Sequence, residues 1–272
     1  MSLQPIKKGL VAFILTVIAP GLGQIYNGQL LKGFCGFGVL LALLLLSTAI
    51  GLTHSFTGLI IHITLFLLAY VLLVGEAVFK AILQVRTNQR PRHTWRSYVA
   101  GISLFLIAVL TLPGNVPDRV PGVRTYKMSA ESMLPTLDSD DRIVADMNYY
   151  RSHAPQRGEV IIFLEPTNNV LYIKRISAIG GDVILLRGRR FQVNGIVVSE
   201  PYAKYELGEG RAESGDFGPA AIPADRYFML GDNRDHSYDS RYWGSIAKDR
   251  ILGKVLYIYW AKDKSRIGRA IR

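Results

Sequence analysis

Cysteine is nearly missing from this 272-residue chain: Cys35 is the only one, and it sits in an apolar run. No disulfide can close within the chain, and metal sites built from paired cysteines are excluded. Acidic residues are missing from the first part, where up to Leu112 eight Lys/Arg face the single carboxylate Glu76. From Pro113 on, 24 basic residues face 20 acidic ones, and the tail 261–272 alone holds five basic residues and one acid. The net charge of +11 therefore sits at the two ends, and the neutral middle lacks the basic patch a nucleic-acid partner would need. Helical periodicity is scarce beyond Tyr126, which argues against an α/β architecture there.

What the first part has instead is long apolar runs. Residues 34–52 and 58–79 are each long enough to cross a bilayer core of ~30 Å, and 98–112 reads as a third span, anchored by Trp95 and Tyr98 and ended by Pro113-Gly114. The first apolar segment, 10–19, is short and runs into Pro20-Gly21-Leu22-Gly23-Gln24, so it reads as a re-entrant or interfacial hairpin and not as a cleaved signal. Residues 20–28 resemble the glycine-rich hairpin of small two-helix bacterial membrane modules. The basic loop Lys80, Arg86, Arg90, Arg92 and Arg96 belongs on the cytoplasmic side, which puts everything after Leu112 outside. Within the runs, Glu76 lies one turn before Lys80 and is expected to pair with it, and His62 reads as structural.

The expected organisation is therefore a membrane anchor over 1–112, a β-rich domain over 113–260 and a basic tail over 261–272, either bound to anionic lipid or solvated. Strands are expected at 159–164, 170–176, 182–186, 191–193, 196–198, 227–230 and 254–260, all rich in β-branched and aromatic residues. Asn194-Gly195 is a hairpin turn and Gly180-Gly181-Asp182 another, while 208–223, with several glycines and no period, reads as a loop.

Three stretches carry the chemistry. Ser132 precedes Met133-Leu134-Pro135, where proline favours an extended neighbour, so the serine lies at a bend, as either a capping residue or an exposed nucleophile. Lys174 alternates onto one strand face with Val170, Tyr172 and Ile176, and is either an edge-strand gatekeeper or a desolvated base. Residues 231–241 pack three acids and two arginines with Asn233, Ser237 and Ser240 directly after an apolar strand, which suggests a loop held in one shape by internal ion pairs.

With these stretches in order, joined by Asp141-Arg142-Ile143-Val144 and the strand from Arg157-Gly158-Glu159-Val160 to Asp182, the chain resembles bacterial signal peptidase I over about 129–260. The resemblance implies a mainly β catalytic domain of that fold, outside the cytoplasmic membrane and preceded by a multi-span α-helical anchor. It implies a serine endopeptidase that removes signal peptides, with Ser132 as nucleophile and Lys174 as general base. It also implies that Ser237 holds the lysine amine, that Asp239 and Arg241 form a supporting ion pair, and that the Ser132 N–H lies in the oxyanion hole. At Ala130 many relatives carry a serine that gives the second oxyanion donor, so that donor is left open here. Met133, Leu134, Pro135 and Ile173 are the expected substrate-binding residues. The implied partners are preproteins with small residues at the first and third positions before the cut, membrane lipid and the export machinery; no nucleic acid, cofactor or metal is implied.

Other readings compete. A triad of Ser132, His236 and Asp239 would make the histidine the base. A non-catalytic membrane adaptor could use the same β fold. A self-cleaving repressor would need a DNA-binding domain where this chain has apolar runs.

Overall fold

Backbone polar groups cannot be left bare among apolar side chains, and the apolar runs of the first part close their hydrogen bonds within helices. A computed structural model describes residues 4–87, 95–111, 122–205 and 216–272. Arg90, Arg92, Leu112, Pro113, Gly114 and the first part of the expected loop, up to Gly215, lie outside the described residues. The chain divides into Met1–Arg119 and Val120–Arg272.

The first unit holds α1 (Gln4–Ile18), α2 (Leu22–Tyr26), α3 (Leu30–Ala49), α4 (Phe56–Arg86) and α5 (Trp95–Thr111). Two of them, α3 and the segment Phe56–Val85 of α4, are long and apolar enough to cross a membrane; α5 is a shorter apolar helix. The helix α3 ends before the expected limit, because Gly51 turns left-handed at φ 72. At Ala19-Pro20-Gly21 the chain turns from α1 into α2, and α1 packs on α4 through Ala12, Ala77 and Ala81. Glu76 is paired otherwise than expected: it meets Lys32 of α3 at 3.0 Å and Gln24 of α2 at 3.2 Å. The Gln24 and Asn27 amides donate to the carbonyls of Leu73 and Ala77, one turn apart on α4, so side-chain bonds tie α2 to that helix. His62 is bonded to Ser47 at 2.6 Å.

The second unit is mainly β. Its strands are β1 (Val123–Lys127), β2 (Arg142–Asp146), β3 (Val160–Leu164), β4 (Leu171–Ile179), β5 (Val183–Arg187), β6 (Arg190–Val193), β7 (Ile196–Val197), β8 (Phe217–Ala221), β9 (Arg226–Leu230), β10 (Ile246–Ala247) and β11 (Ile251–Trp260). Seven form one antiparallel sheet in the order β1-β2-β11-β3-β4-β9-β10, and four form a second, β7-β6-β5-β8. The large sheet buries one cluster around Met133, Ile143, Ile162 and Val255, and another around Ile161, Phe163 and Met229. Because both faces are covered, β3 reads as an unbroken apolar run and not as an alternation. The strands β1, β2, β8 and β10 lie outside the expected strands, and β8 occupies part of the expected loop.

The tail is neither solvated nor frayed. Ala261 and Ile271 are buried in the first cluster, Gly268 N–H donates to the Ile258 carbonyl at 2.8 Å, and Ile271 N–H donates to that of Leu256 at 2.8 Å. Its apolar residues, spaced among the basic ones, cover the open face beside β11. Residues 261–272 thus belong to the second unit and are no separate appendage.

Gly21 shows how tightly the helical turn is set. Its φ is +92, and a Cβ there would collide with the Gly33 carbonyl. Gly21→Ala should lower thermal stability by more than about 1 kcal/mol, the usual cost of a left-handed non-glycine residue. Gly38→Ala, where an added Cβ meets nothing within 4 Å, should be neutral or stabilising in the same detergent-solubilised unfolding assay.

Candidate active site

The site begins with the register of β4. Its first part, Leu171 to Arg175, pairs with β3, Ile162 opposite Ile173 and Ile161 opposite Lys174, and its pairing with β9 starts only at Arg175 opposite Leu230. Residues 171–174 therefore have a strand neighbour on one side only. A cleft of about 440 Å³ opens there, with Tyr126 and Met128 on one wall, Leu171 and Tyr172 on the other, and Ser132 and Lys174 both lining it.

Ser132 stands at the start of a turn that β9 and its following loop hold in place. Asn233 donates its N–H to the Ser132 carbonyl at 3.1 Å and its side-chain amide to the Glu131 carbonyl at 3.0 Å. Gly231 permits this approach, since a Cβ there would collide with the Ser132 carbonyl oxygen and with Ser237 Oγ. At the far end of the turn, Thr136 donates its hydroxyl to Asp232. Asp232 in turn accepts both Nε and Nη2 of Arg175, at 2.9 and 2.7 Å. The fully buried pair Arg175–Asp232 thus joins the serine turn to the residue next to Lys174.

Lys174 is 3 % exposed, and among the described residues no carboxylate lies within ion-pair distance of it. Desolvation by burial pulls its pKa down from 10.5 to about 8; Asp239 pulls the other way, and Arg241 adds to the fall. The net fall corresponds to about 3 kcal/mol. At pH 7 about one lysine in ten is then neutral, against fewer than about one in a thousand for a solvated lysine. Of the two sequence readings, a solvated edge gatekeeper and a desolvated base, the burial supports the second. No hydrogen bond joins Ser132 Oγ to Lys174; such bonds often form only when substrate closes the site.

The loop after β9 has the internal bonding its composition suggested. Asp239 is fully buried, meets Arg241 Nε at 2.8 Å and accepts the Gly231 N–H at 3.0 Å. Arg241 also reaches the carbonyls of Arg234 and Ser237. Ser237 lies against Gly231, but among the described residues its buried hydroxyl has no hydrogen-bond partner and is not bonded to Lys174. Ala130 is exposed at the cleft wall.

Of the expected substrate contacts, Met133 is corrected. Met133 is fully buried in the core with Leu137 and Ile162, because the turn points it down between the sheet and the tail. Leu134 and Pro135 do not line the cleft, and the Pro135 carbonyl is turned to Arg266. Ile173 does line it. Missed on the walls were Tyr126, Met128, Ile162, Leu171, Tyr172 and Tyr238. Leu171 and Tyr172 were legible as neighbours of Lys174 in alternation; Tyr126 and Met128 required knowing that β1 and the residue after it approach from far upstream of Lys174 in sequence. His236 lines the cleft as well and is exposed, while Asp239 is bonded to Arg241 and to the Gly231 N–H.

A serine on a pinned turn and a desolvated lysine, facing one largely apolar cleft beside a free strand edge, have the make-up of a serine hydrolase that takes an extended peptide. The family described as "Signal peptidase, peptidase S26" matches residues 97–260. Among curated relatives, signal peptidase I of Leptolyngbya laminosa is 33% identical over 156 residues, covering 53% of this chain and 74% of that protein. Signal peptidase I T of Bacillus subtilis is 32% identical over 146 residues, covering 52% and 76%. A crystal structure of a signal peptidase I from Enterococcus faecalis is 31% identical, covers 38% of this chain and 97% of that one, and superposes with a TM-score of 0.35. The chain belongs to the signal peptidase family, peptidase S26, and is a serine endopeptidase of the kind that cleaves signal peptides.

Because burial disfavours the ammonium form, folding costs stability below the solvated lysine pKa of 10.5, and the cost is complete once the pH has fallen below about 8. Lys174→Met should therefore be more stable than the parent at pH 7, with a difference that shrinks as the pH rises from 8 towards 10.5. In the parent, NMR of ¹³C-labelled lysines should show Lys174 titrating near 8; a midpoint at 10.5 or higher would refute its desolvation.

Proposed function

We propose that Ser132 and Lys174 are the catalytic dyad of this peptidase, and the observation that carries this is a buried lysine with a lowered pKa lining the same cleft as a serine on a pinned turn. Neutral Lys174 takes the Ser132 hydroxyl proton as Oγ attacks the scissile carbonyl. The tetrahedral intermediate collapses, the amine of the mature chain leaves with the proton from Lys174, and an ester remains on Ser132. Lys174 then takes a proton from water, hydroxide attacks the ester, and the serine leaves with that proton. Ser237, whose buried hydroxyl lacks a partner, receives the lysine amine, and the Asp239–Arg241 pair keeps the loop beneath it in shape.

The Ser132 N–H is one oxyanion donor. Since Ala130 has no side-chain donor, the second is a backbone N–H. The substrate adds as a strand along 171–174, facing the wall of Tyr126 and Met128, and shallow pockets there select small residues at the first and third positions before the cut. In the same reading the apolar helices form a multi-pass anchor in the bacterial cytoplasmic membrane. The basic residues around Lys80, Arg86 and Arg96 are inside, the catalytic domain is outside, and lipid and the export machinery are its neighbours. A substrate tethered by its own apolar segment then meets the cleft near the membrane.

Ser132→Ala, Lys174→Ala and Lys174→Arg should each abolish cleavage of a synthetic preprotein by folded protein, the arginine because its guanidinium cannot act as a neutral base. In the parent the rate should rise with pH through about 8. Full activity in either alanine variant would sink the dyad, and a loss in His236→Ala as deep as in Ser132→Ala would turn the assignment to the histidine.

Ala130→Ser tests the second donor. Losing an oxyanion donor typically costs ~2.7–4 kcal/mol, so a protein that lacked one would gain greatly from the new hydroxyl. With a backbone N–H already in place, kcat should stay level or fall slightly. An increase of about tenfold or more would show that the donor is missing.

A further inference from the structure

The tail 261–272 lies beyond the residues that the family match covers, yet it reaches the serine turn. Arg266 donates Nε and Nη2 to Asp141 Oδ2, at 3.2 and 2.7 Å, Nη2 also to the Thr136 carbonyl at 3.1 Å, and Nη1 to the Pro135 carbonyl at 3.3 Å. Asp141 is 2 % exposed, and the same oxygen accepts the Asp138 N–H at 2.9 Å. One guanidinium thus gathers the last two carbonyls of the turn that Ser132 opens and the carboxylate that closes the next one. Two residues on, the tail bonds to β11, and at its other end the Arg272 carbonyl accepts Nη1 of Arg175. The turn is therefore held from two sides, by Asp232 through the Thr136 hydroxyl and by Arg266 through the backbone.

We propose that Arg266 is a positioning residue for the nucleophile: the tail is a strap whose guanidinium fixes the 132–137 turn against β11, and with it the direction from which Ser132 meets the substrate carbonyl. The planar fork suits this task. Its nitrogens reach two carbonyls and a carboxylate at once, which a lysine ammonium on a flexible stem does not reproduce. Rigidity matters here because the burial of Met133 and Leu137 beneath the turn is a non-directional hold, whereas hydrogen bonds to its carbonyls are directional. A displacement of about 1 Å at a reacting atom can cost up to about a hundredfold in rate. The five basic residues of the tail consequently divide, with Arg266 turned inward and largely buried while the exposed Lys262 and Lys264 stay at the surface.

The rate part of this inference rests on Ser132 being the nucleophile; the conformational part does not. The experiment uses the full chain in detergent and compares the parent with Arg266→Ala, Arg266→Lys and the surface control Lys262→Ala. Hydrogen exchange read by mass spectrometry should show the amides of Leu134, Thr136 and Leu137 exchanging about tenfold faster or more in Arg266→Ala, with the small sheet β5–β6 unchanged as the check on folding. In cleavage of a synthetic preprotein, kcat should fall by about tenfold or more with KM within about twofold, and Arg266→Lys should recover only part of the loss. Lys262→Ala should match the parent in both readouts. Unchanged turn exchange in Arg266→Ala would overturn the proposal, as would unchanged kcat or equal losses in Lys262→Ala, the last pointing to a surface-charge role on lipid. If Arg266→Ala also loosens the small sheet, Arg266→Lys decides alone: parent-like turn exchange and kcat overturn the proposal, and selective loosening of the turn supports it. Parent-level cleavage by Ser132→Ala would remove the nucleophile assignment, and the exchange result would still decide whether Arg266 holds the turn.

Discussion

The active site depends on one buried ion pair. Arg175 and Asp232 are each almost completely withdrawn from water and meet through two hydrogen bonds, with the Tyr202 ring 3.9 Å from the guanidinium carbon. Such a pair is weak evidence for stability, because desolvation offsets much of the attraction. Its importance lies in register. Arg175 follows Lys174 on β4, Asp232 follows Gly231 after β9, and the Thr136 hydroxyl shares the same carboxylate, so a slip of either strand would leave a buried charge uncompensated. The pair therefore fixes where the lysine strand, the polar loop and the serine turn stand relative to one another.

The lysine depends on that arrangement in a second way. Among the described residues no carboxylate lies within ion-pair distance of it, and the two acids that act on it are already engaged, Asp232 with Arg175 and Asp239 with Arg241. Both carboxylates lie close enough to raise its pKa, but desolvation outweighs them. Arg241, the partner of Asp239, itself adds to the fall. The supporting ion pairs thus act on the chemistry by occupying charge as well as by shaping the loop.

The comparison between sequence and structure is uneven in an instructive way. Ser132, Lys174 and the 231–241 loop were legible because each combines residue types that a plain surface turn or strand has no need of. Met133 was misplaced on the cleft, since adjacency to a serine says nothing about direction: the turn sends Met133 into the core and the Pro135 carbonyl to Arg266. The tail misled for a similar reason. Its charge was plain, but its apolar residues at 261, 267 and 271 fill a core that it shares with β11 and with the distant strands β2 and β3. Glu76 had a partner one helical turn away in Lys80, yet packing of separate helices brings Lys32 and Gln24 to it instead.

By itself the sequence determined what depends on local covalent order: the apolar runs that must be helical, the β-rich composition of the rest, the Asn194-Gly195 turn, and a serine, a lysine and a polar loop in the order that a peptidase of this family uses. Only the tertiary structure decided that the lysine is desolvated, that its carboxylate neighbours are already engaged, and that the tail braces the serine turn. The physical reason is that solvation, and with it a pKa, is set by every atom around a group. Here those atoms come from β3, β4, β9 and the loop at 231–241, which the sheet register brings together and chain order does not.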